Sequence, residues 1–171
     1  MGTLVTEQVN VGVNVMTESV NFTVNSTFQG MLRLAHARGL KPDHIIEKRE
    51  RIENGLFTWL GEQSLLALHL EVFLGDVALE RFDLEFKYRA EADRNIRKPD
   101  ISKLEEFCKR LPRLPDGIDY RVVVTTTDEA SDVPGWSPTD LFPLDVTNEC
   151  GLSEFGFGNI GTNLVYRGGR W

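Results

Sequence analysis

The chain has 171 residues, 41% of them hydrophobic and 26% charged, which fits one globular domain with room for extensions. This composition excludes collagen-like, disulfide-scaffold and fully disordered proteins, and no apolar run approaches the roughly 20 residues of a membrane-spanning helix. The net charge of −7 disfavours a general nucleic-acid-binding protein, because that function needs a concentrated basic surface. We therefore expect neither a nucleic-acid partner nor a membrane.

The first 20 residues form a polar tail with alternating valines. Val9, Val11, Val13 and Val15 are separated by single asparagine or glycine residues. A period of two predicts a strand with one apolar face. The segment has no obvious partner strand in the sequence, so we separate residues 1–20 from the core of the domain.

Helical spacing of apolar residues predicts three helices. A capping box at Ser26 and Gln29 starts the first helix, and Gly39 ends it. The second covers about residues 43–63 and the third about residues 101–111, each with an apolar stripe at three- and four-residue spacing.

Alternating residues predict an antiparallel sheet. Two long runs with a period of two, residues 66–72 and 82–88, flank the turn residues Gly75 and Asp76, and a further strand covers about residues 120–124. Strands do not alternate regularly with helices. The pattern favours an α+β domain with the helices packed on one face of an antiparallel sheet, and it disfavours a doubly wound nucleotide-binding fold.

The C-terminal third is acidic and irregular. Residues 122–166 contain seven acidic residues and no basic one, with no sustained period. The segment is also rich in aromatic residues, so it is too apolar for a disordered tail and too long for an ordinary connection. The sequence supports two interpretations equally. One is a lid or binding segment that wraps over the core or a partner, and the other is a C-terminal hairpin that completes the sheet.

Recognisable catalytic and metal-binding patterns are missing. The sequence from Gly156 to Gly161 matches the pattern GxGxxG, but too few residues follow it for a dinucleotide-binding unit. The three histidines lack metal-ligand spacing, and Cys108 lies on the apolar stripe of a predicted helix. Two isolated cysteines and no signal peptide fit free thiols in the cytoplasm. These observations favour a binding or regulatory protein without cofactor or metal.

Several segments resemble bacterial HORMA-domain proteins. The similarity covers roughly residues 20–171, and the order and spacing of its pieces agree with that family. The most specific piece is Tyr120 to Thr125 followed by the string DVPGWS at residues 132–137. The other pieces are residues 32–42, 58–60, 70–73 and 81–88.

The resemblance implies a non-enzymatic regulatory adaptor. It implies a HORMA-like fold with a core at residues 21–127 and a C-terminal safety belt at residues 128–171. The belt wraps a short closure-motif peptide against the sheet edge by strand addition, and the domain switches between open and closed states. The implied partners are a cGAS/DncV-like cyclic oligonucleotide synthase, activated in the CBASS anti-phage defence of the bacterial cytoplasm, and an AAA+ ATPase that disassembles the complex.

The belt and its peptide are expected to use a defined set of residues. Residues 125–135 are the expected hinge, and Trp136→Ala is expected to weaken belt closure. The candidate residues for peptide binding and belt anchoring are Val122, Val124, Thr126, Trp136, Phe142, Phe155, Phe157 and Tyr166.

Three alternatives remain. Residues 1–20 are a candidate handle for the ATPase or a closure motif for a second HORMA protein, with Val13, Val15, Met16 and Glu18 as its residues. A small metal-dependent hydrolase that uses the acidic residues of the C-terminal third is the second alternative. The third is a structural subunit whose C-terminal third is a fixed dimer arm.

Overall fold

The computed structural model describes residues 2–169 and, at the N-terminus, side chains from Met16 onward. These residues form four helices and one four-stranded sheet. The helices are α1 (Gly2–Ala37), α2 (Asp43–Glu47), α3 (Arg49–Gly61) and α4 (Ile101–Arg110). The strands are β1 (Leu65–Leu74), β2 (Val77–Arg97), β3 (Asp119–Thr126) and β4 (Asn148–Gly168). The predicted α+β class is confirmed.

The sheet is antiparallel throughout and has the order β3-β1-β2-β4. The predicted β1–β2 hairpin and its turn at Gly75 and Asp76 are confirmed. One face of the sheet carries Leu68, Leu70 and Phe82, which pack against the helices in the hydrophobic core. Because side chains alternate along a strand, His69, Glu71 and their neighbours lie on the opposite face.

The first helix begins far earlier than expected. The predicted strand in the N-terminal tail is wrong, because residues 2–20 belong to α1, and the predicted cap at Ser26 lies in the middle of that helix. The physical reason is that positions 9, 13, 16, 20 and 24 are spaced by three or four residues, so the same apolar residues also fit a helical stripe. Val20 and Val24 lie on that stripe and are buried.

The predicted second helix is divided at Lys48, whose backbone angles of φ −96° and ψ 12° separate α2 from α3. The cap of α4 is Asp100, whose side chain accepts a hydrogen bond from the Lys103 amide. Within the described residues, no helix is both long enough and apolar enough to cross a membrane.

The C-terminal third is half irregular and half strand. Residues 128–147 contain no helix or strand, whereas β4 pairs with β2. A straight strand of its 21 residues would span about 70 Å. The Thr147 amide nevertheless donates a 2.9 Å hydrogen bond to the Gly168 carbonyl, so β4 folds back on itself, with Gly158 at φ +66° between its ends. Both sequence interpretations of this region are therefore correct in part.

Candidate functional site

The free edge of β3 is the feature around which the site is built. β3 pairs with β1 on its inner side and is the last strand of the sheet. Within residues 2–169, no backbone hydrogen bond joins the outer side of β3 to residues 128–147. The amide and carbonyl groups along an unpaired edge are a template for an additional strand. We call residues 128–147, which run from this edge to the opposite edge of the sheet, the belt.

The first half of the belt is anchored on α3 by Trp136. Its ring meets the Trp59 ring edge to face, with the centroids 5.2 Å apart, and its Nε1 donates a 2.9 Å hydrogen bond to the Arg51 carbonyl. Gly55 makes this approach feasible, because a Cβ at that position would lie 2.8 Å from Trp136 Nε1. The predicted role of Trp136 as a belt anchor agrees with this geometry.

A polar contact fastens the start of the belt to the end of α3. The Glu62 carboxylate accepts hydrogen bonds from the Ser131 hydroxyl and from the Ser131 amide, the latter at 3.2 Å. These bonds lower the pKa of Glu62 from its ordinary value. The Ser131 carbonyl accepts a 2.8 Å hydrogen bond from Trp59 Nε1. Together with the Trp136 contact, this bond joins the belt to α3 on both sides of Val133, which is buried.

The second half of the belt is anchored on the other face of the sheet. Glu71 of β1 is fully buried, and its carboxylate accepts a 2.7 Å hydrogen bond from the Phe142 amide and a 2.6 Å hydrogen bond from Arg121 Nε. The Arg121 guanidinium lies 3.9 Å from the centre of the Phe142 ring and donates to the Asp140 carbonyl at 2.6 Å. Phe142 also packs on Phe73.

A cleft of about 290 Å³ lies between these two anchors. Its walls are α2 and α3 on one side, residues 120–123 of β3 on the second and residues 135–139 of the belt on the third. The volume is near the lower end of the range for ligand pockets, about 300–1,000 Å³. We call it the edge cleft. Its apolar lining consists of Ile45, Ile52, Tyr120, Val122, Val123 and Trp136.

The eight predicted site residues separate into two groups. Val122 and Trp136 line the edge cleft. Val124 and Thr126 lie further along β3, outside the cleft lining, and Phe142 holds the belt on the opposite face of the sheet. These five residues lie in β3 or in residues 128–147, and their role in peptide binding stays a prediction.

The remaining three predicted site residues lie in β4, within the predicted belt of residues 128–171 but beyond the irregular segment 128–147. Phe155 is buried in the main core, and Phe157 packs on Phe22 of α1 with the ring centroids 6.0 Å apart. Tyr166 packs on Phe82, and its hydroxyl donates a 3.1 Å hydrogen bond to Glu80. They pack the C-terminal segment onto the core, and none lines the edge cleft.

Two residues that hold the belt, Glu71 and Arg121, were not predicted from the sequence. Glu71 and Arg121 are partners in the β1–β3 register, although 50 positions separate them in the chain. The available signal was one charged residue inside each apolar strand, Glu71 between Leu70 and Val72 and Arg121 before three valines. A buried charge of this kind is normally paired.

The described residues contain no candidate metal centre. No three His, Cys, Asp or Glu side chains of that part lie close enough together to hold a metal ion. Cys108 is a core thiol, as predicted: it is buried, and burial raises its pKa to about 11. A thiol with such a pKa is a poor nucleophile at neutral pH.

For the N-terminal candidate residues, the structure gives a helix instead of an extended motif. Met16 is half-buried and Glu18 is exposed on α1, whereas the side chains of Val13 and Val15 lie outside the described residues. A role for this segment as an added strand would require the helix to unwind, so the expected extended conformation is wrong for this state of the chain.

Solved structures share this fold across most of the chain. The Mitotic Checkpoint Complex contains a chain with a TM-score of 0.73 and 12% identity, and the match covers 90% of this chain and 99% of that one. C. elegans HTP-2 bound to HTP-3 closure motif 1 has a TM-score of 0.71 and 14% identity, with 90% and 87% covered. A chain of the E. coli MS115-1 HORMA:CdnC:Trip13 complex has a TM-score of 0.59 and 12% identity, with 91% and 89% covered.

The sequence itself identifies the family. No curated protein sequence matches the chain. The sequence model of the family described as Bacterial HORMA domain 2 matches residues 8–158, which include most of α1, strands β1 to β3, the edge cleft and the belt, and end within β4. The chain belongs to the bacterial HORMA domain family.

Proposed function

We propose that this protein is a non-enzymatic adaptor that captures a short extended peptide at the free edge of β3 beneath the belt. The observation that carries the proposal is the edge cleft: β3 has an unpaired outer edge, and the belt passes outside it on two anchors. Strand addition would supply backbone hydrogen bonds along β3, and the cleft would take alternate side chains of the peptide.

We assign the described arrangement to the closed state of the domain. β4 pairs with β2 and forms the edge of the sheet opposite β3, so the belt, which joins β3 to β4, stretches from one edge to the other and encloses the β3 edge. A peptide beneath it cannot leave sideways while both anchors hold. Release would therefore need the belt to detach from Trp59 or from Glu71, which are the groups that receive Trp136 and Phe142.

The downstream partners follow from the family. The E. coli structure whose fold matches is a HORMA:CdnC:Trip13 complex, which supports a cyclic oligonucleotide synthase of the cGAS/DncV class and an AAA+ ATPase as partners of this chain. In this proposal, the peptide-bound closed state activates the synthase in bacterial anti-phage defence, and the ATPase reopens the domain.

The N-terminal segment fits the handle role better than the closure-motif role in this state. α1 is continuous from Gly2, whereas a closure motif that adds to a sheet edge must be extended. Deletion of residues 2–15 is expected to leave peptide capture unchanged and to abolish disassembly by the ATPase. Unchanged disassembly would contradict the handle role.

A random-peptide selection on the full chain tests the capture proposal. Wild type is expected to enrich a short consensus, and a labelled consensus peptide is expected to dissociate slowly in a chase with unlabelled peptide. Trp136→Ala is expected to speed dissociation at least about tenfold, a loss of roughly 1.4 kcal/mol, because one belt anchor is lost. Phe57→Ala, an exposed aromatic residue of α3, is the matched control. Failure to enrich any peptide would refute capture.

A further inference from the structure

We propose that the edge cleft selects peptides with an acidic side chain two residues from an apolar one. This inference rests on the proposed function and specifies its ligand. The observation behind it is the charge of the cleft lining. His44, Lys48, Arg51 and Arg121 contribute to the walls, and no Asp or Glu does. The cleft is thus basic although the chain carries a net charge of −7.

Lys48 and Arg51 are the cationic side chains of the cleft that are available to a ligand. Arg121 is engaged with Glu71 at 2.6 Å, and the His44 ring packs edge to face on Tyr120. Lys48 and Arg51 are exposed. Within the part of the chain whose side chains are described, neither of them forms an ion pair.

Neighbouring carboxylates do not cancel this charge inside the cleft. Glu53 is paired with Arg49 at 2.9 Å, and neither it nor Glu50 lines the cleft. Asp43 and Asp119 act on Tyr120 at one end of the cleft and are likewise absent from its lining. A carboxylate on a bound peptide would therefore meet two uncompensated cations at the α3 wall.

The spacing of the acid and the apolar residue follows from strand geometry. A peptide added to β3 directs every second side chain toward the same face. The cleft lining combines the half-buried Val122 and Trp136 with Lys48 and Arg51. An apolar side chain and a carboxylate separated by one residue face the same side of the added strand and are the nearest pair that can enter the cleft together.

A peptide selection with charge-reversed variants tests the inference. The probe is a library of random 12-residue peptides, presented to full-length wild type, to Lys48→Glu/Arg51→Glu and to the control Lys103→Glu/Lys109→Glu. The control changes the net charge by the same amount on α4, outside the cleft lining. Wild type and control are expected to enrich Asp or Glu next to an alternate apolar residue, and the cleft variant is expected to enrich Lys or Arg.

Affinity measurements sharpen the outcome. The best acidic peptide is expected to bind the cleft variant about tenfold more weakly, on the basis of up to about 1 kcal/mol for each exposed ion pair, and the control within about twofold. Thermal unfolding checks the fold, and Lys48→Gln/Arg51→Gln replaces the reversed pair if that variant is unfolded; it is expected to lose the acidic preference.

The results separate the two proposals. Enriched peptides without an acidic preference, or an acidic preference that persists in the cleft variants, would overturn the charge inference and leave peptide capture intact. No enriched peptide on wild type would overturn capture itself and, with it, the specificity that rests on it.

Discussion

The belt and β4 are adjacent halves of the same acidic, glycine- and proline-rich third of the chain, yet they are held in opposite ways. β4 is paired along β2 from Gly156 to Gly168 and buries Phe155, Ile160 and Leu164 in the main core. The belt is largely exposed and is held by a few contacts at Ser131, at Trp136 and around Phe142, with backbone hydrogen bonds at Pro143 and Thr147 toward its end.

This difference indicates a hierarchy of stability within one segment. Regions with few buried apolar contacts open locally at a lower free energy than the core does. The belt can therefore detach from α3 or from Glu71 while β4 remains part of the sheet. Under the proposed function, peptide entry would need only detachment of the belt, which costs less free energy. Complete reopening would also need β4 to separate from β2.

The largest expected effect is a contrast between one aromatic residue from each half. Phe155 is 4% exposed, so Phe155→Ala is expected to lower the free energy of unfolding by about 3–5 kcal/mol. Phe142 is only half-buried on the outer face of the sheet, and Phe142→Ala is expected to cost about 1 kcal/mol. Urea unfolding of both variants measures the difference. Equal losses would mean that the belt is part of the cooperative core.

The next effect concerns the buried acid that holds the middle of the belt. Glu71→Gln removes the charge opposite Arg121 in a buried pair, which is expected to cost about 3 kcal/mol, and to speed hydrogen exchange at the Phe142 amide. Glu53→Gln removes the exposed pair with Arg49 and is the control, with an expected cost of about 0.5 kcal/mol. Stability of Glu71→Gln within 0.5 kcal/mol of wild type, on the order of that control, would contradict the anchor.

The sequence predicted the core of the fold because local patterns and tertiary packing agree there. The β1–β2 hairpin combines two uninterrupted runs of alternating residues with a glycine turn, and its pairing matches that pattern. In β4 the alternation is interrupted by Gly151, Gly156, Gly158 and Gly161, so the sequence supported a C-terminal hairpin only as one of two equal interpretations. Its pairing with β2 stabilises a segment whose own sequence disfavours a strand.

The site was predictable only in part, for a related reason. Trp136 and Phe142 were identifiable because large aromatic residues in an irregular segment need a surface on which to pack. Their receiving surfaces were not, since Gly55 and Glu71 acquire their roles from chain segments more than 70 residues away. Strand register and helix packing, which are non-local, decide which residues meet.

The smallest expected effect concerns the contact that joins β4 to the sheet through Asp83. This buried carboxylate contacts Arg167 of β4 and accepts hydrogen bonds from His69 at 2.5 Å and Arg81 at 2.7 Å. Burial alone would raise its pKa, but the bonds from His69 and Arg81 outweigh burial and lower the pKa from 3.8 to about 2. The folded state therefore binds this proton less readily than the unfolded chain does.

The stabilisation from Asp83 is consequently complete above the unfolded pKa of 3.8 and is lost as the pH falls through about 2. It amounts to about 2 kcal/mol, measurable by urea unfolding between pH 5 and pH 2. Asp83→Asn is expected to be less stable at pH 5 and to lose this part of the acid dependence, whereas Asp93→Asn, at a half-buried carboxylate near Arg89, is expected to retain it. An unchanged acid dependence in Asp83→Asn would show that other carboxylates fasten β4. On α3, the Trp136 contact contains no carboxylate, whereas Glu62 at Ser131 also has a lowered pKa. Loss of β4 with retention of the Trp136 contact at pH 2 would therefore separate the two halves.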